Sequence, residues 1–362
     1  MKTIAFYIKE PMKVNQGFMY DQTVLLDQYR PIVIGPFPNS NNALFKFKDF
    51  YNLNEIQDLS AFFKEQNVVA IHAHQGKHAL DILPIATKYD IPLIVHFRGR
   101  DSSTQTEKRY RKNLKRYQEL VKYGEGYFAV CHFLAGELKR LGFPENKIHV
   151  LYGGLDLDLH PFSTHSLPAN GEIRILSVAR LVEKKGFLTL LKAFQRIQDK
   201  YPQVTLHIIG TGKDEEKIQN HIDEQQLHDR VFLRGSMNSM QISKELKTAH
   251  LFCLASETGE DGDVEGIPNA LKEAMASGLP VVSTFHGGIP ELIEHKKTGY
   301  LAPEKNDFEL AQGLMHFLDH PELWSRYTKL ARQVIEEKFD LKKQIQEQQR
   351  LYGIIEGKFQ NK

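Results

Sequence analysis

The chain has 362 residues, 41% of them apolar and 25% charged, a composition ordinary for globular proteins and long enough for two hydrophobic cores. Lysine and arginine total 47 against 45 aspartate and glutamate, and the formal charge of +2 excludes a strongly basic nucleic-acid binder. No stretch reaches the ~18 consecutive apolar residues of a spanning helix, and Met1–Glu10 reads as a strand rather than a signal peptide, so the expected location is the cytoplasm.

In chain order, Ile4–Ile8 is predicted to be the first strand, and Gly17-Phe18-Met19 to open the first long helix. Val68–His74 and Pro92–Phe97 are further strands, the first ending in His72-Ala73-His74. The second is followed by Arg98-Gly99-Arg100-Asp101; His96 and Arg98 fall on the same side of an extended chain. Lys108–Tyr123 is expected to be one basic, Tyr-bearing helix. It is either a solvated face or a patch for an anionic membrane surface, because cations attract headgroups and Tyr favours the interface. Tyr127–Cys131 is the next strand, and Phe162–Gly171, rich in Ser, Thr, Pro, Asn and Gly, is the expected linker.

Beyond it, Glu172–Val178, Val204–Ile209, Val231–Leu233, His250–Ala255 and Leu279–Ser283 read as buried strands. An amphipathic helix is predicted over Leu188–Lys200 and another from Pro268, a residue suited to a first helical turn, to just before Gly278. Strands alternate with helices throughout, which predicts an α/β fold with parallel sheets. The tail from Asp319 reads as helices.

Ligands of open α/β sheets bind at the carboxyl ends of strands. Arg180 and Lys185 stand at such an end and can neutralise an anionic leaving group. Gly210 and Gly212 follow another strand, and Met237 lies in the turn after a third, where a flat base can rest. The helix start at Gly266, Ile267, Pro268 and Asn269 offers unpaired amides and a positive dipole end, a place for a diphosphate. Glu265 lies at its mouth and Glu273 inside the helix; an ionised carboxylate accepts hydrogen bonds, and a sugar or ribose diol donates them. His286, beside Gly287-Gly288, is placed on the lining of the same site.

Taken in order, these pieces resemble the retaining glycosyltransferases of family 4, strongly over about residues 172–303 and more weakly elsewhere. The matching motifs are Val178-Ala179-Arg180-Leu181 with Lys185-Gly186, Gly210-Thr211-Gly212, Glu265 with Glu273, and Gly287-Gly288-Ile289-Pro290-Glu291. The loop from Glu260 to Asn269 looks most like the branch that builds bacterial exopolysaccharide, colanic-acid-type polymers and lipopolysaccharide. The resemblance implies the GT-B fold: two Rossmann-like, doubly wound domains facing a central cleft, with the C-terminal helix crossing back to the first. It implies an acceptor-binding domain over 1–165 with about 340–362, and a donor-binding domain over 170–339. It places Glu265 by the donor sugar, Glu273 on the ribose, and Arg180 and Lys185 on the diphosphate.

In the first half it implies that Gly17 lies near acceptor and donor, as a donor-binding residue, and that His74, His96, Arg98 and Asp101 lie on the acceptor or sugar side. Arg98 occupies the slot of an expected histidine, a departure that bears on the sugar contact. The implied reaction moves a hexose-type sugar from a UDP- or GDP-sugar to a glycan or lipid-linked acceptor, with retention and without a metal or other cofactor. The alternatives are a nucleotide-sugar epimerase on the same fold, or a non-catalytic nucleotide-sugar-binding protein. The Gly-x-Gly-x-x-Gly of a dehydrogenase is absent after the first strand. Asp261-Gly262-Asp263 is not expected to hold a metal, and Cys131 and Cys253 read as separate buried residues.

Overall fold

Short apolar runs set the architecture. In the computed structural model, which describes residues 1–12, 17–39, 44–168 and 171–361, they form two all-parallel sheets in two compact units. One unit is Met1–Gly154 with Leu341–Lys362; the other is Leu155–Asp340. The strands of each sheet interior are buried on both faces, as helices covering a parallel sheet require.

The first unit holds β1 (Thr3–Tyr7), β2 (Arg30–Gly35), β3 (Phe50–Asn52), β4 (Val68–His74), β5 (Leu93–Phe97), β6 (Gly126–Ala129) and β7 (Ile148–Val150), in the order β3-β2-β1-β4-β5-β6-β7. The second holds β8 (Ile173–Val178), β9 (Val204–Ile209), β10 (Val231–Leu233), β11 (Leu251–Cys253), β12 (Val281–Thr284) and β13 (Tyr300–Ala302), in the order β10-β9-β8-β11-β12-β13. The order reverses between β1 and β4 in one sheet and between β8 and β11 in the other. These are the switch points where such sheets open a crevice.

The long C-terminal helix, Leu341–Gln360, belongs to the first unit. Gln349 Oε1 accepts from the amides of Asp27 and Gln28 at 2.9 and 2.7 Å, and Gln348 Nε2 donates to the Gln22 carbonyl at 3.0 Å. Tyr352, fully buried, meets Tyr29 edge-on.

Two expectations are corrected. The basic stretch is not one helix: Glu107–Arg116 and Gln118–Tyr123 are separated at Tyr117, whose ring is 0% exposed and packs against Phe97. With that ring buried, Tyr117 cannot serve an interface. The passage 162–171 is tied to the second unit rather than spanning a gap: Ser163 N–H donates to the Ser277 carbonyl, and His165 pairs with the Ala249 carbonyl at 3.0 Å. Within it, 169–170 lie outside the described residues. The first unit already ends at Gly154, because Leu155 N–H donates to the Phe339 carbonyl at 2.7 Å.

Glycines let the strand ends of the second sheet touch. Gly210 has φ +144°, and a Cβ there would lie 1.8 Å from the Ala179 carbonyl oxygen. A Cβ on Gly212 would lie 2.1 Å from the Leu181 oxygen. The expected donor-binding glycines thus let one loop rest on the loop that carries Arg180. Gly210→Ala should cost about 2–3 kcal/mol in a urea melt. Gly142→Ala, also at positive φ but with nothing within 4 Å of the added Cβ, should cost only about 1 kcal/mol.

Candidate functional site

The turn after β8 brings two lysines inward. Lys184 and Lys185 close a short 3-10 turn, and each is only 8% exposed. Gly186 ends the turn at φ +63°, where a Cβ would strike the Ala255 carbonyl. The chain then enters the helix Phe187–Ile197, whose Phe187, Leu190, Leu191 and Phe194 join the core.

Between the lysines lies the Glu265 carboxylate. Its Oε1 is 2.9 Å from Lys184 Nζ and its Oε2 is 2.9 Å from Lys185 Nζ. Lys184 also donates to Asp263 Oδ1 at 3.1 Å and to the Val264 carbonyl at 3.0 Å, so three protein oxygens surround its ammonium group. Lys185 has no acceptor besides Glu265 among the described residues, so its other N–H groups are available. Burial pushes the Glu265 carboxyl up, but the two ammonium groups outweigh it and hold it well below the carboxylate range. Burial lowers Lys185, and Lys184 and Arg180 add to that against Glu265. For Lys184 burial acts downward too, yet Glu265 and Asp263 together raise it. Glu265 Oε1 is ion-paired but lies off the direction of a hydrogen bond, which leaves one buried acceptor position open.

A second layer fixes Glu265 through its backbone. His286, 1% exposed, accepts the Glu265 N–H at Nε2 (3.0 Å), so its proton sits on Nδ1 and is donated to Glu304 Oε1 at 2.7 Å. Glu304 in turn accepts the Thr258 N–H at 2.7 Å. Burial raises Glu304, and the bonds from His286 and Thr258 reverse the shift. Both ring nitrogens of His286 are thus engaged by protein, and the residue braces Glu265. Gly288 N–H donates to the Gly266 carbonyl at 2.9 Å, joining the same two loops.

The helix Asn269–Ser277 starts one residue later than expected, with Pro268 as N-cap and Gly278 at φ 90° behind its end. No side chain caps its first turn. Its orphan amides therefore stand beside the loop that carries Glu265, Gly266 and Ile267. Glu273 is half-buried, and its carboxylate has no hydrogen-bond or ion-pair partner among the described residues. Burial raises its pKa, with Lys272 acting in the opposite direction. Arg180 is exposed, and Met237 is half-buried after Gly235, which has φ +68°. The site in this unit thus gathers Arg180, Lys185, Glu265 and the helix start, while Gly210, Gly212 and His286 support it from behind. Lys184 and Glu304 were not anticipated; the Lys184-Lys185 doublet was a readable signal for the first.

In the other unit the predicted residues also meet. Arg98 Nη2 is shared by Gln22 Oε1 at 2.7 Å, His74 Nδ1 at 3.0 Å and His96 Nδ1 at 3.2 Å. Asp101 has a different place: it accepts the amides of Gly76, Arg98 and Gly99 at 3.0, 3.2 and 3.2 Å, pinning the loop to the start of the helix Gly76–Lys88. Gly17 opens the helix Gly17–Val24. His72, His74 and His96 bring ligand atoms within 4.8 Å of one another, but a metal ion there would face the guanidinium already bonded to two of them.

The profile described as "Glycosyl transferases group 1" matches residues 162–334, and "Glycosyltransferase Family 4" matches 21–159. The chain belongs to the family 4 glycosyltransferases. It is 40% identical over 226 residues to the putative colanic acid biosynthesis glycosyltransferase WcaL of Escherichia coli, covering 62% of this chain and 55% of that one. It is 39% identical over 201 residues to the amylovoran biosynthesis glycosyltransferase AmsK of Erwinia amylovora, covering 56% and 49%. The chain thus spans about half the length of these curated relatives. Anabaena HepE, solved with UDP and glucose, superposes with a TM-score of 0.79 at 18% identity, over 97% of this chain and 99% of that one. The fold is GT-B.

The buried charges make a stability prediction. Lys184→Met leaves Asp263 and Glu265 short of a partner and should cost about 3–5 kcal/mol at pH 7. Glu265 is depressed in the folded state, so its pairing stabilises above the ordinary Glu pKa of about 4.3 and fades as pH falls. Urea melts should therefore show the gap between wild type and Lys184→Met narrowing below about pH 4.

Proposed function

We propose that this protein transfers a hexose-type sugar from a nucleotide diphosphate sugar, a UDP-sugar first, to a glycan acceptor in the synthesis of a cell-surface polysaccharide. The observation that carries this reading is the pair Lys185–Glu265 beside the uncapped helix start at Asn269. A leaving diphosphate needs cationic and N–H donors in a site with little water, where each is worth a few kcal/mol. Lys185 retains unused N–H groups, Arg180 adds a planar fork, and the helix amides add the dipole. Glu273, whose carboxylate has no protein partner among the described residues, suits the two hydroxyls of a ribose. The open acceptor position on Glu265 Oε1 suits a hydroxyl of the transferred sugar. The names of WcaL and AmsK, both polysaccharide-biosynthesis enzymes, support the substrate class.

The reaction is retaining and independent of metal in this proposal. The acceptor hydroxyl attacks the anomeric carbon on the face from which the diphosphate departs; its proton passes to that diphosphate. The charge that develops on the leaving group is met by Arg180, Lys185 and the helix amides, so no divalent cation is required. Turnover of UDP-sugars by the full chain should survive EDTA, and NMR of the product should show the donor's anomeric configuration. Lys185→Ala should lower kcat by about 10²-fold, and Glu273→Gln should raise the donor KM by about tenfold. Full activity in both variants would remove the site assignment.

The acceptor is lipid-linked in this reading, reached from the cytoplasmic side. No helix among the described residues is long and apolar enough to cross a membrane. Lys108, Arg111, Lys112 and Lys115 are exposed on the helix Glu107–Arg116, and support contact with anionic headgroups. The chain should sediment with vesicles containing about 30% anionic lipid at low salt and leave them near 0.5 M salt, where screening is strong. Equal sedimentation with neutral vesicles would refute the contact.

A further inference from the structure

The polar cluster of the first unit holds a cation that has no ion-pair partner among the described residues. Arg98 is half-buried, with its guanidinium 5.0 Å from the centre of the Phe18 ring. Among the described residues the hydrogen bonds of the guanidinium all go through Nη2, to Gln22, His74 and His96. Nε is buried with no hydrogen-bond partner, and Nη1 has none among the described residues.

The acceptors are neutral. Burial, with Arg98 adding to it, lowers His74 and His96 well below the usual histidine value and His72 to about 3. The His72 ring is further committed to the Tyr352 hydroxyl at 2.5 Å. Arg98 forms no ion pair among the described residues, since both oxygens of Asp101 are bound by backbone amides. Asp101 acts on Arg98 through space, but burial outweighs it and brings the guanidinium down to about 9. A desolvated ion without a partner costs several kcal/mol. Such a site is completed by an anion from a ligand.

We propose that Arg98 forms the subsite for the carboxylate of an acidic sugar in one of the two substrates. This rests on the glycosyltransferase reading above and deepens it by naming a substrate class. A carboxylate brings one negative charge to one guanidinium. A phosphate brings about −1.5 to −2 at pH 7 and three acceptor oxygens, which a single arginine among neutral histidines does not match. Phe18 then covers the guanidinium face and leaves its unbonded N–H groups for the ligand.

Saturation-transfer NMR on the full chain tests this with D-glucuronate, D-glucose and inorganic phosphate as probes. Glucuronate should bind at least about tenfold more tightly than glucose or phosphate, a difference of about 1.4 kcal/mol. Gln22→Glu places a carboxylate where an oxygen already lies 2.7 Å from Arg98 Nη2. It should raise the melting temperature and abolish glucuronate binding. Arg98→Met should also lose glucuronate, but Gln22→Glu carries the test if that variant fails to fold. Equal binding of glucuronate and glucose, equal competition by phosphate, a lowered melting temperature in Gln22→Glu, or unchanged glucuronate binding in it would each overturn the proposal. UDP titrated into wild type reads the other site: UDP binding without glucuronate binding refutes only this inference, and failure of UDP refutes the nucleotide-sugar reading.

Discussion

Glu265 is ionised inside the protein because an ammonium group stands on each side of it. Take either lysine away and the carboxylate either takes up a proton or carries an unpaired charge, both at a cost of several kcal/mol. That one requirement organises the surrounding chain. Lys184 and Lys185 must be adjacent and both turned inward, which the 3-10 turn and the left-handed Gly186 achieve. The loop from Glu257 to Gly266 must fold back onto that turn, and the Glu257 amide does so by donating to the Lys184 carbonyl at 2.9 Å. His286 and Glu304 then hold the Glu265 backbone from the far side.

The two lysines are alike in burial but differ in use. Lys184 is held by three protein oxygens and acts as a strut; Lys185 has one carboxylate and spare donors among the described residues. A phosphate arriving near Lys185 shares an ammonium already desolvated and aligned, so little reorganisation is needed when charge develops. The parallel sheet makes this possible. At the switch point β8 and β11 diverge in their connections, and the loops after them meet over the crevice. The first sheet repeats the device at β1 and β4, with Arg98 and the histidines at its strand ends.

Much of this was legible from the residues. Val68–His74, Val204–Ile209 and Val231–Leu233 have the expected bounds, because continuous apolar runs closed by Gly, His or Arg leave little choice. β2 and β3 were passed over, though Ile32-Val33-Ile34 is an apolar run; Pro31 and the three-residue length of β3 hide them from pattern reading. The break at Tyr117 was not visible, since charge density marks a helix surface but not the depth of one aromatic ring. Arg180, Lys185 and Glu265 were found as separate residues, but their joint geometry was not. Ion pairing across 80 positions leaves no local trace. For Gln22 there was no signal at all: its value lies in touching Arg98, 76 positions away.

The central claim is that a nucleotide diphosphate rests on the helix start at Asn269 and on Lys185. Hydrogen–deuterium exchange of the full chain with and without UDP measures this directly, because the amides of that first turn have no side-chain cap to protect them. Slowed exchange in peptides covering 266–272 and 180–187 when UDP is added is the expected result. Binding of UDP with unchanged exchange in both segments would contradict it.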